Sequence, residues 1–182
     1  MIRTLLWSLA GLVLGAIIHL AVILALPSLS STAAWDRVTA LGAATGPVVI
    51  PGIKPGEDNP LRLDPELAYA VCQLDLRKGP GTVAGTLPQA FWSVAVYNRS
   101  GTVLYSTTNR DGVGTTLDLG LFDDAQTRLL AEQKLDIAEG LLIVEAKDDD
   151  VLVVVRLAPP HQVMRQRYEK ALAALKCGNI AT

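Results

Sequence analysis

Residues 91–107, FWSVAVYNRSGTVLYST, decide the fold. Phe91 to Tyr97 is rich in aromatic and β-branched residues, which suit a pleated, half-buried strand. Asn98-Arg99-Ser100-Gly101 reads as a hairpin turn, and Thr102 to Thr107 as the returning strand. The same grammar extends upstream. Tyr69 to Leu76 is apolar and then alternating, Gly79-Pro80-Gly81 turns the chain, and Thr82 to Leu87 makes a further strand. Downstream, Asn109-Arg110-Asp111-Gly112 is a second turn of the same kind, and Thr115 to Leu121 alternates again.

Asp123 and Asp124 then cap a helix running to about Gln133. Leu141 to Glu145 and Val151 to Leu157 are expected to form a last hairpin across Asp148-Asp149-Asp150. The run Val151 to Val155 is apolar on both sides, which places that strand centrally in a sheet. Pro159-Pro160 ends it. A final helix starts near His161, with Met164, Tyr168, Leu172 and Leu175 on one face and a solvated Arg165–Glu169 pair on the other. Gly178 stands where a helix stop belongs. Strands joined by tight turns, without βαβ alternation, imply an antiparallel sheet. The expected fold is therefore mainly β (α+β): an antiparallel β-sandwich-like domain of about seven strands with a few helices, the last at the C-terminus.

Ahead of this domain lies a different chemistry. Leu5 to Leu26 is 22 residues without Asp, Glu, Lys or Arg, and its polar members are Ser8 and His19. As a helix it would measure roughly 33 Å, enough for a hydrocarbon core of about 30 Å. Arg3 precedes it, and the Lys/Arg bias puts the N-terminus in the cytoplasm and the rest outside. Pro27 marks the expected far end. A cleaved signal peptide is the rival reading, but its apolar region is usually about 7–15 residues. Gly11 and Gly15, with His19 one turn on, form a small-residue face that would suit helix–helix packing in a membrane.

The expected organisation is thus an anchor over 1–30, a juxtamembrane helix and Pro/Gly loop over 31–60, and a β-rich extracytoplasmic domain over 61–182. Ser30 and Ser31 would cap the juxtamembrane helix. Ala34, Trp35, Val38 and Leu41 recur along it, and Gly42 stops it. Its apolar side would either dock on the domain or lie at the membrane surface. Residues 51–60, PGIKPGEDNP, are a loop.

Composition narrows the function. The chain has 182 residues, 50% of them hydrophobic, and a net charge of −2 from 16 basic and 18 acidic residues. No basic excess exists to neutralise phosphates, so nucleic acid is not an expected partner. Two cysteines exclude a disulfide-dense scaffold but allow one bridge. Outside the membrane, a Cys72–Cys177 disulfide would tie the end of the last helix to the sheet. Neither a nucleophile elbow nor a zinc-binding His-Glu-x-x-His helix is present, and the glycines match no phosphate-binding loop. Asp148-Asp149-Asp150 does not have the ligand spacing of a calcium loop. No cofactor and no metal is expected. Asp75 among apolar neighbours, Asp64 and His161 are the catalytic candidates. Helping to fix the Lys78-Gly79-Pro80 turn is the simpler role for Asp75.

Leu74-Asp75-Leu76 followed by Gly79-Pro80, then Trp92-Ser93 and Tyr97, resembles a bacterial domain family of unknown function, number 1254. Asp64 and Tyr69 fit the family's approach to this motif. The resemblance covers about residues 60–121. It implies a β-rich fold and a short, single-span member of the family, but no reaction. Larger members carry a second domain downstream, which is not expected in this chain.

Two functions follow as expectations. The first is a non-catalytic envelope module at the inner membrane that pairs with another membrane-anchored envelope protein, one carrying the complementary second domain. The second is a divergent extracytoplasmic enzyme, hydrolytic in type, using Asp64, Asp75 and His161.

Overall fold

An apolar helix leads into two packed sheets. The structure, a computed structural model, describes residues 2–54, 56–110, 114–132 and 140–180, with residues 27–34 described as helical backbone only. Helix α1 runs unbroken over Ile2–Thr39. Its first part, Ile2–Leu26, is long and apolar enough to cross a membrane and is covered by nothing else among the described residues. Pro27 does not end it. A proline inside a helix removes one ladder hydrogen bond and kinks more often than it stops a long helix. The expected separate juxtamembrane helix is therefore the last turns of α1.

Nine strands follow among the described residues: β1 (Val48–Ile50), β2 (Ala68–Asp75), β3 (Gly81–Thr86), β4 (Trp92–Asn98), β5 (Val103–Thr108), β6 (Thr116–Phe122), β7 (Leu142–Glu145), β8 (Asp150–Leu157) and β9 (Lys176–Asn179). They build sheet A, in the order β1-β2-β8-β4-β5, and sheet B, in the order β7-β6-β3-β9. Sheet A is antiparallel throughout, whereas β6 and β7 pair in parallel. Helices α2 (Asp124–Glu132) and α3 (Arg165–Ala173) complete the fold.

Alternation explains the layers. Along β2, β4 and β8 every second residue points between the sheets, and Ala70, Cys72, Val94, Val96, Val153 and Val155 are fully buried there. Sheet B answers with Val83, Leu117, Leu119 and Leu121, and α3 closes one end with Tyr168 and Leu172. Strand β8 lies centrally between β2 and β4, as its apolar run implied.

Several local readings are corrected. The pair β7 and β8 is not a hairpin, because the two strands belong to different sheets. After Glu145 the chain stays on sheet B for one more bond, Ala146 N to Phe122 O at 2.8 Å, and then crosses. The segment after α3 is not helix but β9, which pairs with β3, so Cys177 and Gly178 lie on a strand. The short strand β1 was not read in the sequence. It adds to the edge of sheet A through Val48–Val71 and Ile50–Tyr69. The hairpin at Asn98–Gly101 forms as expected between β4 and β5, with Gly101 at φ +77°. The turn Asn109–Gly112 and the helix end at Gln133 fall partly outside the described residues.

Two cross-links hold the layers. Cys72 of sheet A and Cys177 of sheet B form a disulfide. Asn179 Nδ2 donates to Asp75 O at 2.9 Å and Gly79 O at 2.7 Å, tying β9 to the β2–β3 turn. Helix α2 starts with a reciprocal cap. Gln126 N donates to Asp123 Oδ1 at 2.7 Å, and Asp123 N donates to Gln126 Oε1 at 3.1 Å.

Candidate functional site

The outer face of β8 carries Leu152, Val154 and Arg156, and that of β2 carries Tyr69 and Val71. An outward sheet face is normally polar. This one is apolar because α1 covers it: Trp35, 7% exposed, packs with Val71, Leu152 and Ala43 in a second core. The two possibilities for the apolar side of the helix are thereby decided in favour of docking on the domain.

The cover is incomplete and leaves a cleft of about 310 Å³. Trp35 and Val38 of α1 form one wall, and Leu61 and Leu63 another. The floor is Val71, Leu152 and Val154, and the Asn98–Gly101 turn stands at the rim. The volume lies at the small end of the range of about 300–1,000 Å³ for ligand clefts.

The 59–63 loop is built to present its two leucines. Asn59 clamps it, with Nδ2 donating to Leu63 O at 2.7 Å and Oδ1 accepting from Leu63 N at 2.8 Å. Arg62 between them sits at φ +50°, a left-handed conformation uncommon outside glycine. Arg37 Nη1 of α1 donates to Pro60 O at 2.9 Å and fixes the loop to the helix.

Three polar side chains line the cleft floor. Arg156 Nη2 donates to Tyr97 Oη at 2.7 Å, and Tyr69 Oη accepts from Asp64 N at 3.0 Å. The guanidinium uses one of its five N–H donors in that bond. It makes no ion pair with a carboxylate among the described residues. The cleft therefore combines an apolar floor with one available cation.

The catalytic candidates do not come together. Asp64 precedes β2 and His161 follows β8, so both lie at the end where Ala68 pairs with Leu157. Asp75 lies at the other end, opposite Asp150. An eight-residue strand separates them by more than about 20 Å. Asp64 Oδ1 is engaged by Glu66 N at 2.9 Å, and His161 is exposed at the start of the 3-10 turn Gln162–Met164.

Asp75 is the centre of an ion-pair network. Arg77 Nε stands 2.7 Å from Asp75 Oδ1, and Lys78 Nζ 3.7 Å from Oδ2. Arg77 also reaches Asp150 at 3.5 Å, and Arg99 reaches it at 3.9 Å. The hydrogen bond from Arg77 holds the Asp75 carboxyl below the usual carboxylate range, against the opposing effect of burial. Asp75 Oδ1 also accepts from Arg77 N at 3.2 Å and caps the 3-10 turn Leu76–Lys78. This is a turn-fixing role. Among the described residues no cluster of His, Cys, Asp or Glu is placed to hold a metal.

The motif residues divide between core and cleft. Leu74 and Trp92 are buried between the sheets, and Trp92 Nε1 donates to Gly114 O at 3.3 Å. Gly79 and Pro80 make the turn. Tyr69 and Tyr97 line the cleft, and Ser93 is the register partner of Arg156 on the same face. Within Ile2–Leu26, a Cβ at Gly11 or Gly15 would meet nothing within 4 Å, and His19 is exposed.

Sequence reading missed Arg156, Leu61 and Leu63. The signal for Arg156 was present: it closes the run VLVVVRL, where an arginine in an otherwise apolar central strand marks a polar point on a covered face.

No family model matches the chain, and no curated protein does either. Among solved structures, the protein VPA0106 of Vibrio parahaemolyticus is similar in fold, with a TM-score of 0.53 at 11% identity. The match covers 65% of this chain and 29% of that one. An uncharacterised protein from Burkholderia cenocepacia matches with a TM-score of 0.46 at 17% identity, over 86% of this chain and 41% of that one. This chain thus spans less than half the length of either protein.

Proposed function

We propose that this chain is a membrane-anchored, non-catalytic binding module of the bacterial envelope, held at the outer face of the inner membrane. One observation carries the reading. Helix α1 passes without a break from its apolar stretch to Trp35, which is seated on sheet A. Nine residues at 1.5 Å each place Trp35 about 13 Å beyond Leu26, just past the headgroup layer. The cleft is then displayed beside the membrane. The Cys72–Cys177 disulfide and the position of Arg3 support an outward-facing domain.

The partner is a second envelope protein, one carrying the domain that larger members of family 1254 have downstream. Membership of that family is itself part of the proposal. Its support is the placing of motif residues Tyr69 and Tyr97 in the cleft. Strand β5 offers the partner an open sheet edge, with Val103 49% exposed.

In-cell photocrosslinking from position 103 of the full chain tests the pairing. The expected result is one discrete adduct, in the membrane fraction, with an envelope protein of the complementary domain type. Monomer alone, at native expression, would refute it.

A further inference from the structure

We propose that the cleft on sheet A binds a single-chain amphiphile with an anionic head, the head on Arg156 and the chain on the apolar floor. This rests on the reading of the chain as a membrane-anchored binding module and names its ligand class.

Charge carries the first half of the argument. Arg156 is half-buried beside apolar side chains, hydrogen-bonded to a neutral phenol and paired with no carboxylate among the described residues. A cation in such a place lacks the counter-charge that normally offsets its desolvation. A carboxylate or phosphate would supply it. The planar guanidinium fork can take either in a bidentate pair. Tyr97 Oη, at 2.7 Å, holds the fork in position.

Shape carries the second half. Val38, Ile50, Leu61, Leu63 and Val154, each partly exposed in the cleft, would remain wet apolar surface under an inorganic anion. The cleft of about 310 Å³ takes about ten water-sized groups at roughly 30 Å³ each, the length of a medium acyl chain. Burial of such a chain is favourable by about 0.8 kcal/mol per methylene. Its source is adjacent, because the cleft begins about 13 Å along the helix from the end of the apolar segment. Fatty acids and lysophospholipids share this chemistry.

The full chain, in phosphatidylcholine nanodiscs, is irradiated with a diazirine-bearing dodecanoic acid and its adducts are mapped by mass spectrometry. Adducts are expected on peptides containing Trp35, Val71 or Val154, besides any on Ile2–Leu26. Unlabelled dodecanoate should compete. The dodecanoyl glycerol ester, with the same chain and a neutral head, should compete about tenfold less well. Dodecanoyl lysophosphatidic acid competing better than dodecanoate assigns the head as a lipid phosphate, and the reverse order assigns a carboxylate. Arg156→Gln should weaken dodecanoate by about tenfold with an unchanged melting curve. Val154→Phe, which fills the floor, should abolish the cleft adducts. Adducts confined to Ile2–Leu26, or equal competition by the neutral ester, overturn the proposal. A chain that carbonate removes from membranes would overturn the anchoring instead, and leaves the cleft adducts to be read separately.

Discussion

Arg165 shows how much one side chain can organise. Its side chain is 15% exposed and makes three contacts: Nε to Glu169 Oε1 at 2.9 Å, Nη1 to Pro65 O at 2.6 Å and Nη2 to Leu67 O at 2.9 Å. The spacing i,i+4 predicted the pair with Glu169 but placed it in solvent. The carbonyls of the 65–67 segment were invisible because they come from 100 residues away in sequence. Arg165→Ala removes all three bonds, leaves the part-buried Leu67 carbonyl unsatisfied, and should cost about 2–3 kcal/mol in denaturant unfolding. Asp75 behaves differently, since its partners are local and solvent-facing. Its folded carboxyl titrates below the ordinary value. The stabilisation from that contact is therefore fully present above the unfolded pKa and is lost as pH falls through the folded pKa. Stability measured from pH 6 downward should fall more steeply in the wild type than in Asp75→Asn. Parallel curves would remove Arg77–Asp75 from the account.

Elements were legible where a local pattern sufficed. Strands β2, β4, β5, β6 and β8 follow from alternation and turn residues, and α2 from its acidic cap. Pairing was less legible. Strands β7 and β8 look like a hairpin because only a short acidic stretch divides them, yet β8, buried on both faces, takes the centre of sheet A while β7 pairs in parallel with β6 on sheet B. Lys176–Asn179 carries no strand signal of its own. Its conformation comes from β3 and from the Cys72–Cys177 bond, both tertiary. That bond closes a separation of 105 residues between the two sheets. Replacing both cysteines by alanine should lower stability by about 2–5 kcal/mol and release β9 first. Hydrogen exchange would show lost protection at residues 176–179 before β4 or β8. Uniform loss across the sandwich would contradict this order.

Across the whole molecule, the sequence separates an apolar leader from a β-rich domain, and the structure joins them through one helix. The cleft was the least legible part. It depends on α1, β2, β8 and the 59–63 loop meeting on one face, and no motif announces such a meeting. Its traces in sequence are Trp35 after the apolar stretch and the doubly apolar β8. The covering of sheet A by α1 gives a single physical reason for both. Fractionation of cells expressing the untagged chain tests whether the domain is anchored. Membranes are washed with carbonate, and intact spheroplasts are treated with protease. A full-length chain is expected to stay in the membrane, with the domain cut from outside. A soluble product starting after the apolar stretch, or a domain cut only after lysis, would contradict it.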